Sequence, residues 1–382
     1  MVDDEYLEAP DPWIAAKPEA IKGRGAVSNI AGRYETQLIE VVDDGWIPYK
    51  DETDINPALK TSVTPELAKS ILTRNESPDL PFTVTLNPYR GCEHGCIYCF
   101  ARPTHAYLGL SPGLDFETRL YAKTNAPELL RRELAHQGYQ VSPIAFGMNT
   151  DAYQPCEREL KITRRCLEVL QECNHPLGMI TKSALIERDI DVLQDMTAKN
   201  LVTVAITITT LDHNISRTLE PRAASPSRRL QTIEKLTRAG IPVLVSVAPV
   251  IPFVTEQELE KVMQAAANAG AVAAGYTVLR LPWEVNPLFQ QWLQTHFPER
   301  AERVMNRIRD MRGGKDYDAN FATRMRGEGL WADMIRQRFA KALKRYGLDK
   351  SGRFAALDCS QFRKPLSIPA AKKPDGQLDI FG

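Results

Sequence analysis

Between residues 81 and 281, short apolar segments alternate with longer segments whose apolar residues recur at helical spacing. The short segments are almost wholly apolar, as expected of strands that are covered on both faces. This alternation predicts βα units, whose right-handed crossovers place the strands parallel in one sheet or barrel. We expect strands at Phe82–Leu86, Ile144–Gly147, Leu177–Ile180, Leu201–Thr209, Val243–Ala248 and Ala273–Leu279.

Helices are predicted between these strands, and several of their ends are marked. Pro127 suits a first helical turn, and Gly240 and Gly270 suit the residue just after a helix. Six strands, rather than the eight of a closed barrel, indicate an α/β fold with an incomplete (β/α)6 barrel. The expected helices are Pro127–Gln137, Arg158–Cys173, Ile190–Lys199, Pro226–Ala239 and Glu256–Ala269.

The sequence outside the barrel, which we assign to residues 81–285, predicts three further regions. Residues 1–80 are expected to form an acidic N-terminal arm, since the first 60 residues carry 13 acidic and 6 basic side chains and show little periodicity. Within the arm, Lys22–Glu35 is specific enough to suggest a segment that wraps onto the active-site face. Residues 286–363 form a basic helical extension, and residues 364–382 form a flexible tail.

Composition excludes several classes of protein. A formal net charge of 0 with 43% hydrophobic residues is that of a globular protein and not of a disordered chain or a polycation. No apolar stretch reaches the ~20 residues of a membrane span, and the acidic N-terminus lacks the order of a signal peptide. We therefore expect a cytoplasmic protein with no membrane partner. In that reducing compartment, seven cysteines indicate metal binding or reactivity and not a disulfide framework.

Three cysteines follow the first predicted strand at C-x3-C-x2-C spacing: Cys92, Cys96 and Cys99. They lie on the loop at the carboxyl end of that strand, the face of a βα barrel that carries the chemistry. Thiolates at this spacing bind iron–sulfur clusters or zinc. A zinc site would need a fourth ligand, and His94 inside the loop would strain a shared site. Three thiolates on a four-iron cluster instead leave one iron open, while a structural zinc loop or buried thiols remain the alternatives.

The C-x3-C-x-aromatic-C loop, with Tyr98 at the aromatic position, resembles the signature of the radical S-adenosylmethionine (SAM) superfamily over about residues 81–285. The resemblance implies that Cys92, Cys96 and Cys99 ligate a [4Fe–4S] cluster whose fourth iron is chelated by SAM, with Tyr98 beside the cofactor. It also implies that an electron, from a reductant such as flavodoxin or ferredoxin, cleaves SAM to a 5′-deoxyadenosyl radical that abstracts a substrate hydrogen.

Polar residues at other strand ends are candidates for binding SAM. Asn149, Thr150 and Asp151 follow strand two, where the superfamily usually has a Gly-Gly-Glu-like stretch, so this chain departs from the usual form. Lys182 after strand three could pair with the methionine carboxylate, and Thr207 in strand four could bind the ribose or the carboxylate. The alternative for each residue is a solvated loop or turn group.

Three features together look like the spore photoproduct lyase branch, which reverses a thymine–thymine lesion in DNA. They are the cysteine loop, Thr181-Lys182-Ser183, and Leu219-Glu220-Pro221 followed by Arg228-Arg229. The GRGA stretch and the basic C-terminal region resemble a separate bacterial subgroup of that branch.

One departure from the lyase concerns the hydrogen donor. Met148 occupies the position of the donor cysteine of the lyase, so the substrate or its processing is expected to differ. Cys156 and Tyr153 are candidate catalytic substitutes, and a buried structural thiol is the alternative for Cys156.

The basic extension points to nucleic acid. Between Arg300 and Arg353 there are 15 Lys or Arg and 7 Asp or Glu residues. Arg300, Arg303 and Arg307 recur at i, i+3 and i+7, so they share a helix face that could meet DNA phosphates. The alternative is a solvated amphipathic helix that packs over the barrel.

The last residues, Gln377-Leu378-Asp379-Ile380-Phe381, are similar to the pentapeptide by which many bacterial repair and replication proteins bind the DNA sliding clamp. Three apolar side chains and a glutamine on a flexible tail suit weak docking into a groove.

These observations predict a radical SAM enzyme of the lyase type that repairs DNA lesions or modifies nucleic acid. One alternative is a radical SAM enzyme that modifies a protein or tRNA. A second is a non-catalytic iron–sulfur protein that docks on the replication clamp.

Overall fold

A computed structural model describes residues 20–34, 59–349 and 356–365. The six predicted strands lie parallel and are neighbours in one sheet in the order of the sequence. Each begins and ends within two residues of its predicted bounds. The predicted α/β fold with a six-stranded partial barrel is therefore confirmed. The strands of the described residues are β1 Ser62–Glu66, β2 Leu72–Arg74, β3 Val84–Leu86, β4 Tyr89–Arg90, β5 Arg119–Lys123, β6 Ile144–Phe146, β7 Leu177–Thr181, β8 Val202–Thr207, β9 Val243–Val250 and β10 Ala273–Val278.

Amphipathic helices cover the outside of the parallel sheet and bury their apolar faces against it. Short 3-10 helices occupy Arg102–Leu108, Ala184–Asp189 and Glu256–Glu258. No helix in these parts of the chain is long and apolar enough to cross a membrane. The α-helices are α1 Asp115–Thr118, α2 Ala126–Ala135, α3 Glu157–Leu160, α4 Ile162–Glu172, α5 Ile190–Ala198, α6 His213–Leu219, α7 Pro226–Arg238, α8 Leu259–Asn268, α9 Val285–His296, α10 Pro298–Asp310 and α11 Gly329–Tyr346.

The single helix predicted at Arg158–Cys173 is instead two helices, α3 and α4. Lys161 between them adopts a left-handed backbone with φ of 52°. The buried Glu157 carboxylate accepts hydrogen bonds from the backbone N–H groups of Thr163 and Arg164 at 2.9 and 3.3 Å. These bonds satisfy the first turn of α4 and fix the break.

Residues 62–74, which we expected to belong to an extended arm, form two strands. β2 pairs antiparallel with β3 at one edge of the large sheet, and β1 belongs to a small sheet of order β1-β5-β4. The Glu133 carboxylate accepts from the N–H groups of Ile71 and Leu72 at 2.8 and 3.0 Å. These hydrogen bonds fix the position of the segment in the fold. The sequence did not predict β1 and β2 because strands of five and three residues are too short to show a clear alternation of apolar and polar residues.

The other edge of the large sheet is β10, which the C-terminal extension covers. Ala274 donates its N–H to the Leu348 carbonyl at 3.2 Å, and Val278 donates to the Met325 carbonyl at 3.0 Å. α11 packs on β10, where the rings of Phe339 and Tyr276 have centroids 4.5 Å apart. The extension thus protects a sheet edge that would otherwise present unpaired backbone groups.

Candidate active site

The carboxyl ends of the parallel strands surround a cavity of about 580 Å³. This volume is within the range of about 300–1,000 Å³ that is usual for small-molecule and cofactor sites. The cavity brings together all nine residues that the sequence predicts for the cluster and for SAM: Cys92, Cys96, Tyr98, Cys99, Asn149, Thr150, Asp151, Lys182 and Thr207.

The cysteine loop, residues 92–99, is a run of tight turns. Gly95 donates to the Cys92 carbonyl and Cys99 donates to the Cys96 carbonyl, both at 3.2 Å. Gly95 has φ of 67°, a left-handed conformation that favours glycine. Ile97 is fully buried and donates its N–H to the Leu219 carbonyl at 3.1 Å. The loop is therefore anchored in the core while its thiols face the cavity.

A buried ion pair supports the loop from behind. Arg102 and Glu117 are both fully buried and form a close salt bridge. Arg102 also donates to the carbonyl oxygens of Cys96 and Gly95, at 2.9 and 3.0 Å. A guanidinium whose donors are all engaged holds the backbone between two of the cysteines in one geometry.

Residues 22–34, the described part of the predicted segment Lys22–Glu35, supply further partners of the Glu117 carboxylate, so the expected contact of this segment with the active-site region is present. Gly25 and Ala26 donate their N–H groups to the Glu117 carboxylate at 3.0 and 2.8 Å. Gly25 lies so close to the loop that a Cβ there would be 1.9 Å from the Gly95 carbonyl oxygen. We call Gly25, Arg102 and Glu117 the loop brace.

The thiols of the loop fit a group that takes thiolates. Burial raises the pKa of Cys96 to about 12 and raises that of Cys92 well above its usual value. Iron binds the thiolate, so binding must release these protons. The Lys182 ammonium opposes the effect of burial on the pKa of Cys96, which favours the thiolate at that position.

The arrangement does not suit a single zinc ion. In the parts of the chain that the structure describes, no group of three or more His, Cys, Asp or Glu side chains is placed to hold one metal ion. Each thiolate of a [4Fe–4S] cluster binds a different iron, so the sulfurs surround the cluster and do not converge on a point. His94, the fourth ligand that the zinc alternative would use, also lines the cavity, and its Nδ1 lies 3.3 Å from Asp151 Oδ2.

Asp151 ties three parts of the site together. Its carboxylate accepts from the Thr181 hydroxyl at 2.7 Å and from the N–H groups of Lys182 and Tyr153 at 2.8 and 2.9 Å, in addition to the contact with His94. Burial alone would raise the pKa of Asp151, but His94 and these hydrogen bonds outweigh it and lower the pKa. With so many donors already bound, Asp151 orients the ends of β6 and β7.

A second buried ion pair, Glu220 with Arg229, holds the aromatic residue of the loop. Glu220 accepts from the Arg229 guanidinium, from the Tyr98 hydroxyl and from Thr209 Oγ1, the last at 2.6 Å. Burial would raise the pKa of Glu220, but the charges of Arg229 and Lys182 outweigh it, so Glu220 stays a carboxylate. Sequence reasoning noticed both residues but gave them no role.

Two groups on this side remain open for a ligand. Thr207 is buried, and its Oγ1 has no hydrogen-bond partner among the described residues. The Lys182 Nζ lies 5.8 Å from the centroid of the Tyr98 ring. Burial would lower the pKa of Lys182, but a thiolate at Cys96 and the Glu220 carboxylate raise it, so the side chain is a cation. An unpartnered hydroxyl and an ammonium suit the hydroxyl and carboxylate groups of SAM.

A second part of the cavity lining carries arginines that sequence reasoning missed. Arg280, just after β10, and Arg324 line the cavity, and Arg312 is buried directly behind Arg280. Half-exposed Phe100 lies beneath Arg280, with its ring centroid 5.6 Å from the guanidinium carbon. We call Arg280, Arg312 and Arg324 the cationic wall, and we call the cysteine loop with Asp151, Lys182 and Glu220 the cofactor wall.

The candidate hydrogen donors lie outside the cavity lining. Tyr153 is fully buried in the core, where its hydroxyl donates to Asp189 at 3.0 Å. Cys156 is half-buried and packs against the same core. Met148, by contrast, lines the cavity.

The three arginines predicted to meet DNA lie on one face of α10, as expected. Arg303 stacks over the Phe253 ring at 4.0 Å, and Arg307 stacks over the Trp331 ring at 4.4 Å. Arg300 donates to the Phe253 carbonyl at 3.5 Å. The peptide at residues 377–381 lies outside the described residues.

Comparison with known proteins identifies the family. A sequence model described as the radical SAM superfamily matches residues 86–266. An uncharacterised protein of Mycobacterium tuberculosis is 33% identical over 334 residues, which cover 83% of this chain and 93% of the relative. An uncharacterised protein of Methanocaldococcus jannaschii is 25% identical over 222 residues, with coverage of 58% and 79%. The chain belongs to the radical SAM superfamily, and its cofactors are a [4Fe–4S] cluster and SAM.

Solved structures of spore photoproduct lyase have the same fold. One mutant of that lyase superimposes with a TM-score of 0.51 at 14% identity, over 74% of this chain and 79% of the lyase chain. The lyase complexed with dinucleoside spore photoproduct gives a TM-score of 0.50 at 13% identity, with the same coverage. These structures show the shared fold, and together with the family match above they confirm the predicted superfamily: the protein is a radical SAM enzyme.

Proposed function

We propose that this enzyme acts on DNA, where it repairs a lesion or modifies a nucleotide by hydrogen abstraction. The observation that carries the proposal is the composition of the cavity. The lining holds the three cysteines and Lys182, and it also holds Arg280, whose guanidinium lies over the half-exposed ring of Phe100, the residue that follows Cys99. A positive wall next to an aromatic ring is the combination that binds a phosphate and stacks on a base.

The residues of the cofactor wall would bind and orient the cluster and SAM. When bound, the cluster and SAM supply one-electron cleavage and abstraction of a hydrogen. Cys92, Cys96 and Cys99 hold the cluster, Lys182 pairs with the carboxylate of SAM, and Thr207 donates to or accepts from a SAM hydroxyl. Asp151 and Glu220 keep the loop and the strand ends in position.

Arginine–aromatic pairs on the surface give further support for a nucleic-acid substrate. Phe321 is half-exposed, and Arg324 lies 4.4 Å from its ring centroid. Arg303 and Arg307 form similar pairs with Phe253 and Trp331. Rings and guanidinium groups of this kind stack on bases without regard to sequence. Among solved relatives, the lyase that was crystallised with a dinucleoside photoproduct shares this fold.

The peptide Gln377–Phe381 would deliver the enzyme to its substrate. We propose that it binds the DNA sliding clamp, which would bring the enzyme to replicated DNA in the cytoplasm, where a flavodoxin or ferredoxin can supply the electron. Burial of Leu378, Ile380 and Phe381 would contribute ~1.5–3 kcal/mol each, offset in part by ordering of the tail. A titration of purified clamp against the whole chain and against a chain ending at Gly376 tests this. Equal binding by both, or by neither, would refute clamp docking.

The activity is tested by anaerobic incubation of the reconstituted enzyme with SAM, a reductant and irradiated DNA, followed by mass spectrometry of the digested DNA. We expect consumption of a photoproduct or appearance of a modified nucleoside that requires SAM. Unirradiated DNA and tRNA serve as parallel substrates. Product from tRNA alone, or SAM cleavage with every nucleic acid unchanged, would contradict the proposal.

A further inference from the structure

The cationic wall holds three arginines near one carboxylate, Asp79, which pairs with Arg324 and also interacts electrostatically with Arg280. Arg324 is bound by the Asp79 carboxylate through two hydrogen bonds of 2.6 Å. Within the described residues, neither Arg280 nor Arg312 has a carboxylate at ion-pair distance. Among acidic residues, Asp318 raises the pKa of Arg312 most, but it forms no ion pair with Arg312, and its half-buried carboxylate accepts hydrogen bonds from the Thr323 hydroxyl and the Asn320 N–H. One of the three arginines is therefore paired and two are not.

The two unpaired arginines also repel each other. Arg312 is 2% exposed, and burial followed by the charge of Arg280 lowers its pKa to about 10. Its guanidinium is held by the carbonyl oxygens of Leu279 and Thr323, at 2.8 and 3.0 Å. Two like charges side by side at low dielectric are costly, and an anion between them and the cavity would remove that cost.

Arg280 has donors free for such an anion. Its Nε is buried and has no hydrogen-bond partner among the described residues. Its other nitrogens reach only the Tyr317 hydroxyl at 3.4 Å and the Met325 sulfur at 3.6 Å. The contact with the Tyr317 oxygen is long for a hydrogen bond, and a thioether sulfur is a weak acceptor. The planar set of donors that arginine uses to grip phosphate is therefore mostly unused.

We propose that Arg280, with Arg312 behind it, binds one phosphodiester of the substrate. This inference rests on the proposed function, because it takes the anion to be part of a nucleic acid. The choice of phosphodiester follows from Phe100, whose half-exposed ring lies beneath the Arg280 guanidinium and can stack on the base or sugar next to that phosphate. The cationic wall thereby fixes which nucleotide faces the cofactor wall.

The test removes the charge from each partner in turn. Single-stranded DNA is bound to the reconstituted enzyme with SAM and without reductant, and one uncharged methylphosphonate is moved through the DNA position by position. With the wild type, one position should weaken binding about 10- to 100-fold, as expected for loss of a charge-assisted hydrogen bond. With Arg280→Gln, binding should already be weaker by that factor, and the same position should have no further effect.

Two further variants control the result. Arg238→Gln removes the same charge from the last turn of α7, at the opposite end of the strands, and should leave the methylphosphonate profile of the wild type unchanged. Arg280→Lys keeps the charge but loses the planar donors, and should give intermediate binding. A circular dichroism melt shows whether each variant is folded.

The remaining outcomes would contradict either the phosphodiester site or the proposed function on DNA. An equal methylphosphonate profile for the wild type and Arg280→Gln overturns the inference while DNA binding stands. If the wild type binds no DNA at all, the proposed function fails, and inorganic phosphate becomes the probe. Phosphate binding that Arg280→Gln weakens would then keep the anion site and reject the nucleic acid. No phosphate binding by the wild type would overturn both.

Discussion

The two walls of the cavity differ in how their charges are satisfied. On the cofactor wall, Asp151 and Glu220 each receive several hydrogen bonds, and the loop brace holds the cysteine loop through the Arg102–Glu117 pair. On the cationic wall, Arg280 and Arg312 have no carboxylate partner among the described residues. A cofactor site must be rigid before its ligand arrives, whereas a substrate site leaves charge for a ligand to neutralise.

This difference separates two roles that share one cavity. The buried pairs of the cofactor wall fix geometry, and breaking them is expected to lower stability and cluster content. The free cations of the cationic wall cost stability and gain binding, so changing them is expected to alter substrate affinity. The contrast resembles the general trade between a stable fold and an active site.

Loss of one cluster ligand should have the largest effect on the function of the cofactor wall. Cys96→Ala removes a thiolate, so the [4Fe–4S] absorbance and SAM cleavage should both disappear. The barrel should stay folded by circular dichroism, because the thiol faces the cavity. Cys359→Ala, which changes a half-buried cysteine far from the lining, is the matched control and should retain both signals. SAM cleavage by Cys96→Ala would contradict the assignment.

Glu220→Gln tests whether the second buried pair stabilises the wall. It leaves the Arg229 guanidinium without its charge partner in the core, which should lower the free energy of unfolding by about 3 kcal/mol. Urea denaturation measures this. Glu234→Gln removes the exposed partner of Arg238 and should cost less than about 1 kcal/mol. Equal losses in the two variants would mean that Glu220 has no special role.

Lys182→Ala should weaken SAM binding with little change in iron content. A charge-assisted bond to a carboxylate contributes about 1.5–3 kcal/mol, which corresponds to about 10- to 100-fold in affinity. Calorimetric titration of SAM into the reconstituted protein measures the affinity, and iron analysis is the second readout. Wild-type affinity in this variant would remove Lys182 from the SAM site.

Gly25→Ala tests whether the loop brace supports the cysteine loop, and we expect it to have the smallest effect of the four substitutions. The new Cβ would lie 1.9 Å from the Gly95 carbonyl oxygen, so the arm or the loop must shift, at a cost of about 1–3 kcal/mol. We expect a lower melting temperature and slower cluster reconstitution. Gly275→Ala, where a Cβ has open space, is the control. Normal reconstitution of Gly25→Ala would show that the arm does not support the loop.

Sequence reasoning located the barrel and the cavity lining because both follow from local patterns. Continuous or alternating apolar residues indicate strands. The polar residues just after these strands, such as Asp151 and Lys182, must lie at the same end of a parallel sheet. The loop brace could not be found in this way. Gly25 and Glu117 are 92 residues apart, and neither position has a local pattern that predicts its partner.

The cationic wall was missed for a similar reason. Arg324 forms an ion pair with Asp79 and Arg280 forms none among the described residues, and a sequence does not show which charges remain unpaired after folding. The short β2 was missed because three residues carry too little periodicity. Both the unpaired arginines and the short strand β2 depend on contacts between residues that are distant in the sequence, and not on residue type.

If the cavity presents DNA to the hydrogen-abstracting cofactor, a hydrogen of the DNA must move to the 5′-deoxyadenosyl group. The most direct measurement is anaerobic turnover of the reconstituted enzyme with SAM, reductant and irradiated DNA that is deuterated in its nucleosides. We expect deuterium in the 5′-deoxyadenosine that is released or in SAM that is recovered. Formation of 5′-deoxyadenosine without deuterium in either molecule would contradict it.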